Sequence, residues 1–168
     1  MILYNVATKN MKVLAYSDKK SIKKAMSGKK VVLVGGCFDL LHFGHIKFLE
    51  KAKEYGNFLV VALESDKFIQ QKKNKKPFHN INERAAIVSA ITYVDLVIKI
   101  PLFKSDKDYF KMTNFIKPKF IAVSKNDKVY KNKLKQSQEV GGKLVVVTNI
   151  INKFSSSKAL KYASIFGN

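Results

Sequence analysis

The chain of 168 residues has one cysteine, one arginine, no tryptophan and few acidic residues. The single cysteine, Cys37, excludes an intrachain disulfide and argues against a cysteine-based metal site. No apolar run approaches the ~20 residues that span a bilayer, so we expect no membrane partner. The N-terminal residues lack a basic segment followed by an apolar block, so we expect no signal peptide and a cytoplasmic protein.

Basic residues outnumber acidic ones by 32 to 12, which gives a net charge of +20. Such a surplus attracts polyanions, and nucleic acid is the first candidate. However, base-reading proteins use arginine forks, and all but one of these basic residues are lysines spread along the chain. A nucleic-acid-binding module is therefore only an outside alternative. A lysine-biased composition, or anionic substrates such as a nucleoside triphosphate, would also account for the charge.

Apolar runs and amphipathic segments alternate along the chain. Helices are predicted at 45–56, 82–91, 107–116, 132–142 and 155–166. Buried strands are predicted at 29–36, 57–65, 93–100, 119–124 and 143–150. This order predicts an α/β fold with a Rossmann-like, doubly wound, five-stranded parallel sheet.

We divide the chain into one domain, residues 30–168, and an N-terminal extension, residues 1–29. A helix at 17–28 is predicted within the extension, and we expect it to pack outside the core. The lysine-rich run Gln70–Pro77 is interpreted as a mobile loop, and Asn82 as the N-cap of the helix that follows it. Ligands of such sheets bind beyond the carboxyl ends of the strands, where the strand order reverses.

The segment GGCFDLLHFGH, Gly35–His45, follows the first core strand and leads into a helix. Its glycines permit a close backbone approach to an anion, and the helix N-terminus favours negative charge. His42 and His45 are three residues apart, so both rings can lie on one face. Two imidazole N–H donors beside a phosphate would stabilise charge during phosphoryl-type transfer, which requires no enzyme nucleophile.

This segment resembles the H-x-G-H signature of the cytidylyltransferase-like nucleotidyltransferase superfamily, and it matches the family pattern at Gly36, Phe38, Asp39, His42, Gly44 and His45. Three further segments, 64–75, 82–98 and 154–160, resemble other motifs of that family. The resemblance implies catalysis by His42, His45 and Lys73. It implies substrate binding by Asp66, Lys72 and Arg84, with Arg84 at a phosphate. It implies nucleotide binding by Gly36, Cys37, Phe38, Asp39, Gly44, Asp127, Phe154, Ser155, Ser156 and Ser157.

The family transfers a nucleoside monophosphate from an NTP to a phosphorylated small molecule and releases pyrophosphate, with Mg²⁺ accompanying the NTP. Residues 44–68 resemble glycerol-3-phosphate cytidylyltransferase, but the last motif lacks the arginine that contacts CTP there. Other segments resemble the adenylyltransferase domain of the bifunctional heptose-phosphate enzyme, so ATP and a sugar phosphate are favoured. CTP, and an FMN adenylyltransferase, stay open as alternatives. The resemblance also implies a homodimer.

Each candidate residue also has a purely structural interpretation. Lys72 and Lys73 could be solvated loop charges, and Arg84 could pair with Glu83 or Asp95 at the surface. The serine run could cap the last helix, and His79 could be an ordinary loop residue. Cys37 could act as a thiol nucleophile or as a small buried side chain, and the second interpretation is preferred. A regulatory subunit that binds nucleotide without turnover is a further alternative.

Overall fold

A computed structural model describes residues 12–148 of the chain. Within this range, six strands form one entirely parallel sheet in the order β1-β4-β3-β2-β5-β6. The strands are Val13–Ala15 (β1), Val31–Gly36 (β2), Phe58–Leu63 (β3), Leu96–Lys99 (β4), Phe120–Ser124 (β5) and Lys143–Thr148 (β6). The helices are Lys19–Met26 (α1), Phe43–Lys53 (α2), Asp66–Lys73 (α3), Ile81–Ser89 (α4), Asp106–Ile116 (α5) and Tyr130–Glu139 (α6).

The predicted α/β fold and its five core strands are confirmed, but the strand count was one short. The additional strand, β1, pairs with β4 and lies at an edge of the sheet. It has only three residues, too few for an apolar run to distinguish it from a loop. The extension therefore shares the sheet of the main domain, and the division at residue 29 stays a prediction.

Two apolar layers cover the sheet, one on each face. Successive residues of β2 alternate between them: Val31 and Leu33 belong to one cluster, and Val32 and Val34 to the other. All four side chains are buried, which is why the strand is a continuous apolar run. The first cluster contains residues of α1 and α5, and the second contains residues of α2 and α4.

Helix α1 is present where it was predicted, but the expectation that it lies outside the core was wrong. Its residues Ile22 and Met26 are buried and belong to the first apolar cluster. The helix begins after Asp18, whose side chain accepts a hydrogen bond from the backbone N–H of Ser21. A capped helix with two buried side chains on one face therefore anchors the extension to the sheet.

Two local predictions near residues 70–84 were also wrong. The first half of the predicted loop Gln70–Pro77 is helical, because α3 continues to Lys73. Helix α4 begins after Asn80, two residues earlier than predicted. The Asn80 side chain accepts hydrogen bonds from the backbone N–H groups of Asn82 and Glu83, and Glu83 accepts one from the backbone N–H of Asn80. This reciprocal cap fixes the start of the helix.

The strand order reverses at β2, which pairs with β3 on one side and with β5 on the other. The segment Gly35–His45 begins with the last two residues of β2 and continues beyond the carboxyl end of the strand, so it lies where sequence analysis predicted a ligand site. None of the helices in residues 12–148 is long and apolar enough to cross a membrane.

Candidate active site

The turn that follows β2 is shaped by Phe38, which adopts a positive φ of 46° and is buried. This conformation is costly for a bulky side chain and persists only where the surroundings hold it in place. Gly36 provides the space for the Phe38 ring, because a Cβ atom there would lie 2.8 Å from Phe38 Cε2. The ring in turn lies 5.2 Å from the His45 ring, centroid to centroid. Gly36 therefore helps to position a predicted catalytic histidine.

His42 and His45 are brought together as the sequence predicted. Their rings are stacked, with centroids 3.8 Å apart and an interplanar angle of 20°. His42 is the N-cap residue of α2, and its carbonyl oxygen accepts hydrogen bonds from the backbone N–H groups of His45 and Ile46. The first turn of the helix therefore sets the spacing of the two rings.

Burial favours the neutral form of both imidazoles. Burial, together with the nearby His42 and Lys73, lowers the pKa of His45 to about 4. Burial also lowers the pKa of His42 below its usual value. Each neutral ring carries one N–H donor and one acceptor nitrogen. Among residues 12–148, neither Nδ1 atom has a hydrogen-bond partner, so both rings retain hydrogen-bonding capacity.

The N-terminus of α2 adds a second feature that suits an anion. His42 has an extended backbone, and its own side chain makes no capping hydrogen bond. The backbone N–H groups and the dipole at a helix N-terminus favour negative charge. The histidine pair therefore lies at a helix end that suits an anion.

Arg84, predicted to contact a substrate phosphate, forms a buried clamp. Its side chain has no exposed surface, and Nη1 and Nη2 donate to the Cys37 carbonyl oxygen and to Asp66 Oδ1, each at 2.6 Å. Nε donates to the carbonyl oxygen of His79 at 3.1 Å. The guanidinium thus ties the turn after β2 to α3 and α4. Because the Arg84 side chain is fully buried, it forms neither of the surface pairs considered from the sequence. Its predicted contact with a substrate phosphate stays a prediction.

Asp39 and Asp66 also have structural partners. Asp39 is buried, and its Oδ1 accepts hydrogen bonds from the backbone N–H groups of Phe78 and His79. The Oδ2 atom of Asp66 accepts a hydrogen bond from the backbone N–H of Ile81, while Oδ1 accepts from Arg84. Both carboxylates therefore attach the loop before α4 to neighbouring segments, as the clamp does.

A cavity of about 730 Å³ lies beyond the carboxyl ends of the central strands. This volume is within the range of small-molecule sites. Three segments of its wall contain predicted site residues: Gly36 and Cys37 at the end of β2, Lys72 and Lys73 at the end of α3, and Asp127 after β5. Lys72 and Lys73 are exposed, and neither pairs with a carboxylate of the described residues. Neither histidine is part of this wall.

Glu64 and Tyr109 also line the cavity, and sequence analysis missed both. Glu64 ends the apolar run of β3 and is only 7% exposed, and its Oε1 accepts a hydrogen bond from the Tyr109 hydroxyl at 2.9 Å. Burial raises the pKa of Glu64 to about 7. An acidic residue at the end of an apolar strand was the available signal, because carboxylates are rarely buried without a specific reason.

The remaining predicted residues take different positions. Asp127 accepts hydrogen bonds from the Val129 backbone N–H and from Lys133, both at 2.9 Å. Cys37 is buried, and burial raises the pKa of its thiol, which disfavours the thiolate that a nucleophile needs. Gly44 lies in the first turn of α2. Phe154, Ser155, Ser156 and Ser157 lie outside the described residues.

The chain resembles known proteins in sequence and in structure. A model of the family described as cytidylyltransferase-like matches residues 33–161. The bifunctional protein HldE from Campylobacter jejuni is 34% identical over 134 residues, which cover 79% of this chain and 27% of the relative. The chain thus spans about a quarter of the length of such curated relatives.

Solved structures with the same fold include two that differ in their sequence similarity. The lipopolysaccharide core biosynthesis protein from Thermoplasma volcanium is 28% identical, with a TM-score of 0.60, and 73% of this chain and 97% of that chain are covered. A pantoate-beta-alanine ligase from Francisella tularensis has a TM-score of 0.62 and 13% identity, over 93% of this chain and 78% of the ligase. The second likeness concerns the fold alone.

Proposed function

The chain belongs to the cytidylyltransferase-like family, and we propose that it transfers a nucleoside monophosphate from an NTP, with ATP favoured, to a phosphorylated small molecule such as a sugar phosphate. Pyrophosphate is the second product. The observation that carries this proposal is the stacked pair of neutral imidazoles at the N-terminus of α2, beside the turn after β2. This pair lies where the strand order reverses, which is the ligand position of the fold.

In the proposed reaction, a phosphate oxygen of the acceptor attacks the α-phosphorus of the NTP. The new P–O bond forms as the bond between the α-phosphorus and its bridging oxygen breaks, and pyrophosphate leaves with the electron pair. The attacking phosphate is already ionised, so no base and no enzyme nucleophile is needed. This agrees with a buried thiol at Cys37 whose pKa is raised.

The histidines and Lys73 would act on the charge that develops during this step. Each neutral imidazole can donate one N–H to an oxygen of the phosphate chain, and Lys73 supplies a positive charge at the wall of the neighbouring cavity. We assign the same kind of role to Ser156, on the family resemblance. Loss of one such donor raises the barrier by about 2.7–4 kcal/mol, a hundred- to thousandfold in rate.

Mg²⁺ is part of the proposal as a companion of the NTP. Residues 12–148 contain no group of three or more metal-ligating side chains, so the ion would be held by phosphate oxygens. There it would neutralise part of the triphosphate charge. A homodimer and a cytoplasmic location, both expected from the sequence, stay predictions.

ATP is preferred over CTP because the last motif lacks the arginine of the cytidylyltransferases it resembles. A sugar-phosphate acceptor is supported by the similarity to HldE and to the lipopolysaccharide core biosynthesis protein. The cavity beside the turn has the volume for such an acceptor, and its wall contains Lys72 and Lys73, neither of which pairs with a carboxylate of the described residues.

The test is pyrophosphate release by the full chain with each NTP and a panel of sugar phosphates, glycerol 3-phosphate and FMN. We expect turnover with ATP and a sugar phosphate, and stronger protection against thermal unfolding by ATP than by CTP at matched concentrations. Nucleotide binding without turnover on the whole panel would instead favour the regulatory subunit. Tight, strongly salt-dependent binding of duplex or single strands, with no turnover, would favour the nucleic-acid module.

A further inference from the structure

Glu64 has one carboxylate oxygen that the protein does not use. Oε1 accepts the hydrogen bond from Tyr109, whereas Oε2 is buried and has no partner among residues 12–148. Native proteins seldom leave a buried polar atom unpaired, and each exception calls for an explanation. Because Glu64 lines the cavity of about 730 Å³, a bound molecule with a hydrogen-bond donor would supply the missing partner.

The position of Glu64 within the site points to the second substrate rather than to the nucleotide. The cavity wall joins the turn after β2 at Gly36 and Cys37 but contains neither His42 nor His45. From there it extends to Tyr109 and other residues of α5, on the face of the sheet opposite to the one that α2 covers. A molecule in the cavity would therefore lie on the opposite face of the sheet from α2 and would reach the histidine pair through the turn after β2.

The charges around Glu64 indicate the chemistry of that molecule. Lys72 and Lys73 line the same cavity without a carboxylate partner, so a phosphate group suits them. The cavity wall also contains apolar side chains, among them Leu33, Ala62 and Ile100. A buried carboxyl oxygen that lacks a partner accepts a hydrogen bond from a hydroxyl group.

We propose that Glu64 determines the acceptor: its Oε2 accepts a hydrogen bond from a hydroxyl group of a phosphorylated polyol or sugar whose phosphate lies against Lys72 and Lys73. Tyr109 holds the carboxylate in place through Oε1. The inference rests on the proposed function, since it assigns the cavity to the substrate that the NTP modifies. It adds a requirement for an acceptor hydroxyl group that neither the fold nor the histidine pair imposes.

The test combines a change in the protein with a change in the ligand. Equilibrium binding of hexose 1-phosphates and of their monodeoxy analogues is measured by titration calorimetry on the wild type, Glu64→Met and Glu64→Gln. Methionine has a similar length and no acceptor oxygen, whereas glutamine keeps an oxygen for Tyr109 and guards against misfolding of the first variant. Glu50→Met is the matched control, because Glu50 also pairs with a tyrosine hydroxyl, that of Tyr93, but does not line the cavity.

We expect Glu64→Met to weaken binding of the preferred sugar phosphate roughly 10- to 100-fold, as for a lost hydrogen bond to a charged group. One monodeoxy analogue should show the same loss on the wild type, and Glu64→Met should no longer distinguish it from the parent sugar. The affinity of Glu64→Gln for the sugar phosphate should lie between those of the wild type and Glu64→Met. ATP affinity, and all affinities of Glu50→Met, should stay within about twofold.

Three outcomes would overturn the proposal. The first is an unchanged affinity of Glu64→Met for the sugar phosphate, and the second is that the losses of binding free energy caused by the variant and by the deoxy analogue are additive. The third is that the wild type binds no phosphorylated sugar or polyol. Pyrophosphate release, measured on the same proteins, keeps the proposed function separate. Turnover by the wild type with unchanged binding by Glu64→Met would refute only the role of Glu64. If Glu64→Met and the deoxy analogue cause the same, non-additive loss of affinity but the wild type releases no pyrophosphate, only the transferase reaction would be refuted.

Discussion

Acid should affect His45 and Glu64 in opposite ways, because burial moves their pKa values in opposite directions. The pKa of His45 falls from 6.5 to about 4. Between these values the unfolded chain binds the extra proton, so His45 makes the fold less stable as the pH falls. The pKa of Glu64 rises from 4.5 to about 7, so in that interval the folded state binds the extra proton. Glu64 therefore makes the fold more stable as the pH falls.

The two contributions are similar in size. At 1.36 kcal/mol for each pH unit, the interval from 6.5 to about 4 corresponds to about 3 kcal/mol for His45. The interval from 4.5 to about 7 corresponds to about 3 kcal/mol for Glu64. In the wild type the two effects offset each other across most of the weakly acidic range. Removing one of the groups should therefore expose the other.

Glu64→Gln removes the ionisable carboxyl and keeps the shape of the side chain. The free energy of unfolding, from urea titrations, is compared between this variant and the wild type from about pH 8 to about pH 4.5. Relative to the wild type, the variant should be up to about 3 kcal/mol more stable at the upper pH than at the lower. Because only the difference in unfolding free energy between the two proteins is used, the pH-dependent contributions of the groups that they share cancel.

Glu50→Gln provides a control that should show little pH dependence over this range. The hydrogen bond from Lys47 lowers the pKa of Glu50 from its usual value of 4.5, so the wild type loses this contribution only below about pH 4.5. Between about pH 8 and about pH 4.5, the difference in unfolding free energy between Glu50→Gln and the wild type should therefore change little. If the difference in unfolding free energy between the wild type and Glu64→Gln is the same at both ends of the pH range, the reasoning about Glu64 is refuted.

Three further predictions concern the scaffold of the site. Arg84→Lys should lower the free energy of unfolding by about 3–5 kcal/mol in urea titrations, because Asp66 and two carbonyl oxygens lose a buried partner; a loss below about 1 kcal/mol would contradict the clamp. Cys37 should react with a thiol reagent much more slowly in the native protein than in urea, because burial raises its pKa; equal rates would show an accessible thiolate. Gly56→Ala should cost about 1–3 kcal/mol, since its Cβ atom would lie 2.3 Å from the carbonyl oxygen of Lys30; unchanged stability would show that the backbone yields easily there.

The sequence predicted the core strands and the place of the site because both depend on strong local patterns. Four consecutive buried residues, Val31–Val34, followed by a glycine-rich turn, indicate a central strand of a parallel sheet and the loop beyond it. The spacing of His42 and His45 also sufficed to place their rings together, since one helical turn separates them.

Long-range contacts decided what the sequence could not predict. The family resemblance placed Arg84 at a phosphate, but it gave no sign that the guanidinium donates to two carbonyl oxygens and a carboxylate from other parts of the chain. Their convergence follows from tertiary structure and leaves no pattern around residue 84. The same holds for Glu64, whose tyrosine partner is 45 residues away, and for β1, whose pairing with β4 is its main support.

The most direct test of the account is the rate of pyrophosphate release from ATP and an accepted sugar phosphate by His45→Ala. His79→Ala is the matched control, since the third histidine is separate from the stacked pair and its backbone holds its contact with Asp39. We predict a hundred- to thousandfold loss for His45→Ala with an unchanged circular dichroism spectrum, and a change of about twofold or less for His79→Ala. A folded His45→Ala variant that keeps a rate within about tenfold of the wild type would contradict the central role of the imidazole pair.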